Sequence, residues 1–351
     1  MNFRPAPKND GIALIVVMIA IAVLMGLAFA FAFSMKIETR LASNADSEQQ
    51  MVWLGRAGVE TARWVLAQEA AIPNEPYDSL NQIWAGGPGS LGETNSVLSG
   101  FSLNDIPLGA GRFTLKIVDL ERKVNINAVP PMQLQQVLTV MGVPADSISV
   151  VSDSILDWID PDDNTRPAGA ESDYYLGLVP SYNAKNAPID NLDELLLVKG
   201  VTHDMFYGGS SASASTPFPE HKLGFGHAPG QEPDYAFGLR DVFTPFSTGK
   251  INILTADDKV LQLIPGIDTG AAQAIETARD SDPPIRNASQ LIAAAGVNPA
   301  ASGQIQNYVG VQGSTYEIKA TATIGQISHE YTAVVFRNGP NVQVFSFYRS
   351  K

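Results

Sequence analysis

Between Asp157 and Tyr175 the chain concentrates oxygen-bearing side chains of the kind that hold a hard metal ion. Asp160, Asp162, Asp163, Asn164, Glu171 and Asp173 fall within fourteen residues, and five of the six are carboxylates. With Asp160 counted as position 1, Asp162 is position 3, Asn164 position 5 and Glu171 position 12. That is the ligand spacing of an EF-hand calcium loop. Thr165 stands where such a loop has Gly, and Pro167 interrupts it, so the expectation is a calcium-type oxygen cage rather than an EF-hand. Carboxylates this dense repel one another unless a cation sits among them. Zinc is a poor fit, because the cluster contains no His and the whole chain no Cys. The competing reading is a solvated acidic loop whose charges pair with Arg166.

Glycine turns offer a second possible chemistry. Leu261-Gln-Leu-Ile-Pro-Gly-Ile267 followed by Gly270-Ala-Ala-Gln-Ala-Ile275 reads as helix, Gly turn, helix, and Leu134 to Gly142 and Leu192 to Val201 echo it. Such helix-hairpin-helix turns present backbone N–H groups to a phosphate. Here Asp268 puts a carboxylate where the phosphate would sit, and Lys259 is the only cation in the first helix. The alternative is a compact helical packing unit. A catalytic reading finds little support: the four histidines (His203, His221, His227 and His329) lack metal-ligand spacing, and no Gly-x-Ser-x-Gly elbow or phosphate loop occurs. The expectation is a protein that is not an enzyme.

The elements that position these groups can be read from periodicity. Ala145 to Trp158 is an amphipathic helix leading into the acidic loop. Arg112 to Asp119 alternates and is β-branched, and Tyr316 to Ile324, Glu330 to Arg337 and Val342 to Tyr348 do likewise. Gly325-Gln326 and Asn338-Gly339-Pro340 separate the last three as hairpin turns. A sheet using residues near 112 and near 348 together makes residues 120–310 an insertion, mostly helical, with a mobile loop over 208–236.

The N-terminus is apolar without interruption. Ile12 to Phe33 contains no charge, and about twenty such residues cross a ~30 Å hydrocarbon core. No Pro occurs between Ile12 and Ile72, so one helix of nearly sixty residues is expected, half in lipid and half on a soluble domain, with Gly26, Gly55 and Gly58 as weak or bending points. The formal net charge of −13 over 351 residues argues against non-specific nucleic-acid binding. A polar leader ends at Gly11, which resembles the start of a type IV pilin-like precursor, whose peptidase would cut between Gly11 and Ile12; the competing reading is a plain uncleaved membrane anchor.

The chain resembles the K-type minor pseudopilin of the bacterial type II secretion system (general secretion pathway protein K). The resemblance rests on Gly11-Ile-Ala-Leu-Ile-Val-Val, Arg56-Ala-Gly-Val-Glu60, Lys123-Val-Asn-Ile-Asn-Ala128, Ile155-Leu-Asp-Trp-Ile-Asp160, Gly169-Ala-Glu-Ser-Asp-Tyr-Tyr175, Asn186 to Gly200 and Gly238-Leu-Arg-Asp-Val-Phe-Thr244. It implies an α+β fold: a pilin-like long N-terminal helix on an antiparallel sheet, with a large, mostly α-helical inserted domain containing helix-hairpin-helix-like units. It divides the chain into a leader (1–11), a transmembrane helix (12–33), a pilin-like α/β domain (34–119 and 311–351) and the insertion (120–310). It also implies methylation at Ile12 after cleavage and calcium binding in the Asp160–Asp173 region. Val16, the fifth residue after the cut, stands where most pilin-like subunits carry Glu, and the K type characteristically lacks that Glu. A subunit with nothing above it has no cation for a carboxylate buried in lipid. The implied role is to cap the tip of a periplasmic pseudopilus and help start its assembly. The implied partners are the other minor pseudopilins, the processing peptidase and the inner membrane, with no nucleic acid. The runner-up is a membrane-tethered helix-hairpin-helix protein that binds DNA in an uptake system, and a membrane-anchored glycan hydrolase is a third class.

Overall fold

The computed structural model describes residues 10–209, 235–281, 284–297 and 303–350. Most of the leader, nearly all of the 208–236 loop, and His221 and His227 lie outside the described residues. In chain order the elements are α1 (Asp10–Glu69), α2 (Leu91–Thr94), β1 (Ile106–Leu108), β2 (Gly111–Asp119), β3 (Val124–Asn125), α3 (Pro131–Met141), α4 (Ala145–Ile159), α5 (Ser172–Leu176), α6 (His203–Tyr207), α7 (Leu239–Val242), β4 (Phe243–Thr244), β5 (Ile251–Asn252), α8 (Asp258–Leu261), α9 (Thr269–Arg279), α10 (Ala288–Ala294), β6 (Val309–Gly310), β7 (Thr315–Ile324), β8 (Ile327–Asn338) and β9 (Asn341–Arg349).

Helix α1 is continuous over 60 residues, or roughly 90 Å. Its first half, Ile12 to Phe33, is exposed on every side, and it is the one helix among the described residues long and apolar enough to cross a membrane. Its second half is one-sided. Met51, Leu54, Gly55, Gly58, Val59, Ala62, Val65 and Leu66 are buried and recur at three- and four-residue spacings, while Trp53, Glu60 and Trp64 face outward or sit at the edge. The helix stops where Pro73, Asn74 (at φ 66°) and Pro76 make continuation impossible.

The buried face lies on an antiparallel sheet in the order β1-β2-β7-β8-β9. Strand β2 pairs with β7 from Arg112↔Thr323 to Asp119↔Tyr316, so the sheet joins residues about two hundred positions apart in sequence. Gly325, at φ 61°, makes the two-residue turn between β7 and β8. The expected bending points in α1 behave differently from expectation. At Gly55 and Gly58 the helix meets the sheet at close range instead. A Cβ on Gly55 would stand 2.4 Å from the Tyr331 ring, and one on Gly58 would stand 2.9 Å from Ala320 Cβ.

Two separate apolar cores follow from this plan. One joins α1 to the sheet through Met51, Leu66, Trp84, Phe113, Tyr316 and Tyr331; the other lies wholly within residues 124–309. A buried polar joint fastens the second to the first where the chain leaves β2 and returns to β7. Asp119 accepts from Asn252 Nδ2 and Thr255 Oγ1, both at 2.8 Å, and from the Glu121 amide at 2.9 Å. Glu121 accepts from the Ser314 and Thr315 amides at 3.1 and 2.9 Å. Asp78 accepts from the Gly313 amide at 2.8 Å and pairs with Arg337. Burial, then the charge of Glu121, pushes Asp119 well above the usual carboxylate range. Gly313 is needed here, since a Cβ would lie 2.5 Å from Asp119 Oδ1.

The close helix–sheet contact yields a stability prediction. Gly→Ala in a helix interior ordinarily gains about 1 kcal/mol. Overpacking costs about 1–3 kcal/mol, and the rigid Tyr331 ring leaves Gly55→Ala no room to relax. We expect the denaturation midpoint of the detergent-solubilised G55A protein to fall, and that of Gly26→Ala, with nothing within 4 Å, not to fall.

Candidate functional site

The acidic loop is built on the end of α4. Val151, Ile155 and Trp158 bury one face of that helix, and the same final turn also buries Asp157 completely. Asp160 ends the helix in extended conformation, and the chain re-enters helix at α5 with Glu171 at its N-cap. Behind the loop an aromatic cluster forms a rigid wall. Trp158 meets Tyr175 edge-on at 5.2 Å, Tyr175 stacks on Tyr182 at 5.2 Å, and Lys199 sits 5.0 Å from the Tyr174 ring.

Arg166 is the cation inside the loop. Its Nη1 donates to Asp157 Oδ1 at 2.6 Å and also pairs with Asp160 Oδ2. Its backbone amide lies 3.2 Å from Asp157 Oδ2. Burial works against the Arg166 charge, but the hydrogen bonds it donates to Asp157 and Asp160 prevail and raise its pKa above the ordinary value. Gly169 closes the loop against Asp157: a Cβ there would sit 1.9 Å from Oδ2. Lys199 Nζ holds the Gly169 carbonyl at 2.9 Å.

The six residues expected as ligands are divided. Asp162 Oδ1 accepts from the Asn164 amide at 2.9 Å, a local turn on the surface. Asp163 Oδ1 accepts from Ser172 Oγ at 3.1 Å and Asn186 Nδ2 at 2.8 Å. Asp173, exposed, lies on α5. Among the described residues, no three acidic or imidazole groups stand together as a finished metal cage. Glu171 differs from the rest: it is 2% exposed, yet neither carboxylate oxygen has a hydrogen-bond partner, and Asp160 Oδ1 has none either. Burial, then the charges of Asp157, Asp160, Asp163 and Asp162, pushes Glu171 up to about 7. Unpartnered buried carboxylate oxygens and an all-oxygen donor set fit a hard divalent ion.

Sequence reasoning passed over Asp157, Gly169 and Asn186 as site residues. The usable signal was Asp157 itself, a carboxylate between Ile155 and Trp158 on an apolar face. The glycine turns are all present as left-handed residues between helical segments: Gly142 (φ 92°) between α3 and α4, Gly200 (φ 83°) between the Leu192–Leu197 turn and α6, and Gly266 (φ 91°) between α8 and α9. At the third, Asp268 Oδ1 accepts the Ala271 amide at 2.8 Å. The chain's own carboxylate therefore takes an N–H that would face a phosphate.

A membrane-length helix laid on an antiparallel sheet, with a helical insertion carried between two of its strands, is a pilin-like fold. Residues 103–207 match the family described as type II secretion system (T2SS), protein K. Type II secretion system protein K of Pseudomonas aeruginosa is 27% identical over 202 residues, 54% of this chain and 57% of that protein. The Aeromonas hydrophila protein of the same name is 28% identical over 211 residues, 57% of this chain and 61% of its own length. The chain thus matches about three fifths of the length of these curated relatives. A chain in the crystal structure of the GspK–GspI–GspJ complex from the enterotoxigenic Escherichia coli type 2 secretion system shares the fold. Its TM-score is 0.65 at 18% identity, covering 88% of this chain and 99% of that one. By these matches the chain is similar to type II secretion system protein K over part of its length, and it shares its fold with a chain of the GspK–GspI–GspJ complex.

Glu171 gives a pH prediction with a definite sign. It holds its proton more tightly folded than unfolded. Its favourable contribution to metal-free stability is therefore complete below about 4.5 and lost as pH rises through about 7. In EDTA, the melting temperature of Glu171→Gln minus that of the parent protein should grow across that window. Calcium should shrink or reverse the difference.

Proposed function

We propose that the protein is a minor pseudopilin of a type II secretion system that caps the tip of the periplasmic pseudopilus and helps initiate its assembly. The observation that carries this reading is α1, one unbroken helix exposed through its apolar half and packed on the sheet through its second half. Such a helix stores the subunit in a bilayer and later packs among neighbouring helices without refolding. The prepilin peptidase cuts between Gly11 and Ile12, and Ile12 is methylated. The subunit is anchored by a single pass in the bacterial inner membrane, with its globular part in the periplasm. Val16, five residues into the processed helix, leaves no carboxylate to pair with a subunit above, as suits a terminal position. The insertion of residues 120–310 adds bulk that a filament shaft would not accommodate.

The solved structure that shares this fold is a complex with GspI and GspJ, and the equivalent minor pseudopilins are the proposed partners here. The role is structural rather than catalytic. Ca²⁺ orders the acidic loop, held by oxygens drawn from Asp160, Asp162, Asp163, Asn164, Glu171 and Asp173; the ion would supply charge neutralisation there and no reaction chemistry.

Intact mass of the protein recovered from membranes, with and without the prepilin peptidase, tests the reading. We expect loss of residues 1–11 and gain of one methyl group only when the peptidase is present. A chain of full mass in both strains would overturn it.

A further inference from the structure

We propose that Arg166 is a built-in occupant of the acidic loop: its guanidinium holds Asp160 in the metal-free protein and is displaced from it when a divalent ion binds. This rests on the calcium reading above and adds to it a competitor supplied by the chain itself. The geometry separates two kinds of contact. Asp157 is fully buried and accepts from the Arg166 backbone amide at 3.2 Å as well as from the guanidinium. Asp160 has only the guanidinium on Oδ2 and nothing on Oδ1. The Arg166 side chain is 35% exposed, so it lies at the loop's open edge with a path to solvent.

Charge explains why the guanidinium fills the place incompletely. It brings one positive charge to a loop in which Asp157, Asp160 and Glu171 feel one another's charge, and it pairs only with the first two. Glu171, 2% exposed, is left with both oxygens unpartnered. That is the independent sign that a second species belongs there. A guanidinium has only N–H donors, so it cannot ligate a cation and must yield Asp160 to one. Calcium and the Arg166 side chain are then linked competitors, and the coupling between them is reciprocal.

The test is calcium titration of the full-length, detergent-solubilised protein by calorimetry, comparing the parent with Arg166→Met, Arg166→Lys and Glu171→Gln. We expect R166M to bind Ca²⁺ roughly tenfold more tightly than the parent, as is typical of coupled sites, with R166K between them. In EDTA the R166M melting temperature should fall, and saturating calcium should close that gap. E171Q should bind more weakly than all three. An NMR readout needs no variant at all: the Arg166 guanidinium resonances of the parent protein should move to those of a solvated side chain as calcium saturates. Parent binding with R166M equal or weaker, or guanidinium resonances unmoved by saturating calcium, overturns this inference and leaves the calcium reading intact. No binding by either the parent or R166M overturns both.

Discussion

One helix has to suit two solvents, and the rest of the molecule is arranged around that constraint. In lipid, α1 is apolar all round, because its backbone hydrogen bonds are satisfied internally and its side chains need only match hydrocarbon. In water, the same helix exposes Glu60 and Arg63 on one side and must cover Met51, Leu54, Val59, Ala62, Val65 and Leu66 on the other. Nothing local covers them. The sheet does, and it must draw β2 and β7 together across the whole insertion to do so. The pairing that buries α1 is the same pairing that brings the two ends of the insertion side by side.

That juxtaposition concentrates polar atoms where the two cores meet. Asp78, Asp119 and Glu121 are each about 1% exposed, and their oxygens receive the amides and side chains of residues 248–255 and 313–315. Buried carboxylates are costly unless saturated with donors, and these are. The acidic loop on α4 is their opposite. There the carboxylates are only partly satisfied, Arg166 serves two of them, and Glu171 is left over. One acidic cluster is a joint, and the other is left with buried carboxylate oxygens that have no partner.

How much of this could be read from the chain depended on range. The membrane-length run, the amphipathic α4 and strands β2, β7, β8 and β9 all carry local periodicity, and each is where the pattern places it. Boundaries moved by a few residues: β8 begins at Ile327, not Glu330, because the Gly325 turn lets pairing extend to its limit. The two-residue parallel pairs β3–β4 and β5–β6 left no pattern, since a strand that short has no period. Gly55 and Gly58 were legible as glycines but not as contacts, because the Tyr331 ring and Ala320 they meet lie far off in sequence. At the acidic loop, spacing supplied the residue types. It could not show that Asp157 faces inward, that Arg166 bridges two carboxylates, or that Glu171 stands without a partner.

The buried joint also decides what the helix is, and is not, attached to. The sheet-packed half of α1 and the last strand, β9, belong to the same core, and β9 is tied to the helix directly through Arg63, which donates to the Val342 carbonyl at 2.6 and 2.9 Å. The insertion leaves and rejoins that core at one place. Helix α1 meets the sheet at Gly55 and Gly58 among other places, and the apolar core the two share is separate from the one within residues 124–309. The two can therefore be altered separately: a substitution inside the core of residues 124–309 leaves the apolar contacts between α1 and the sheet in place.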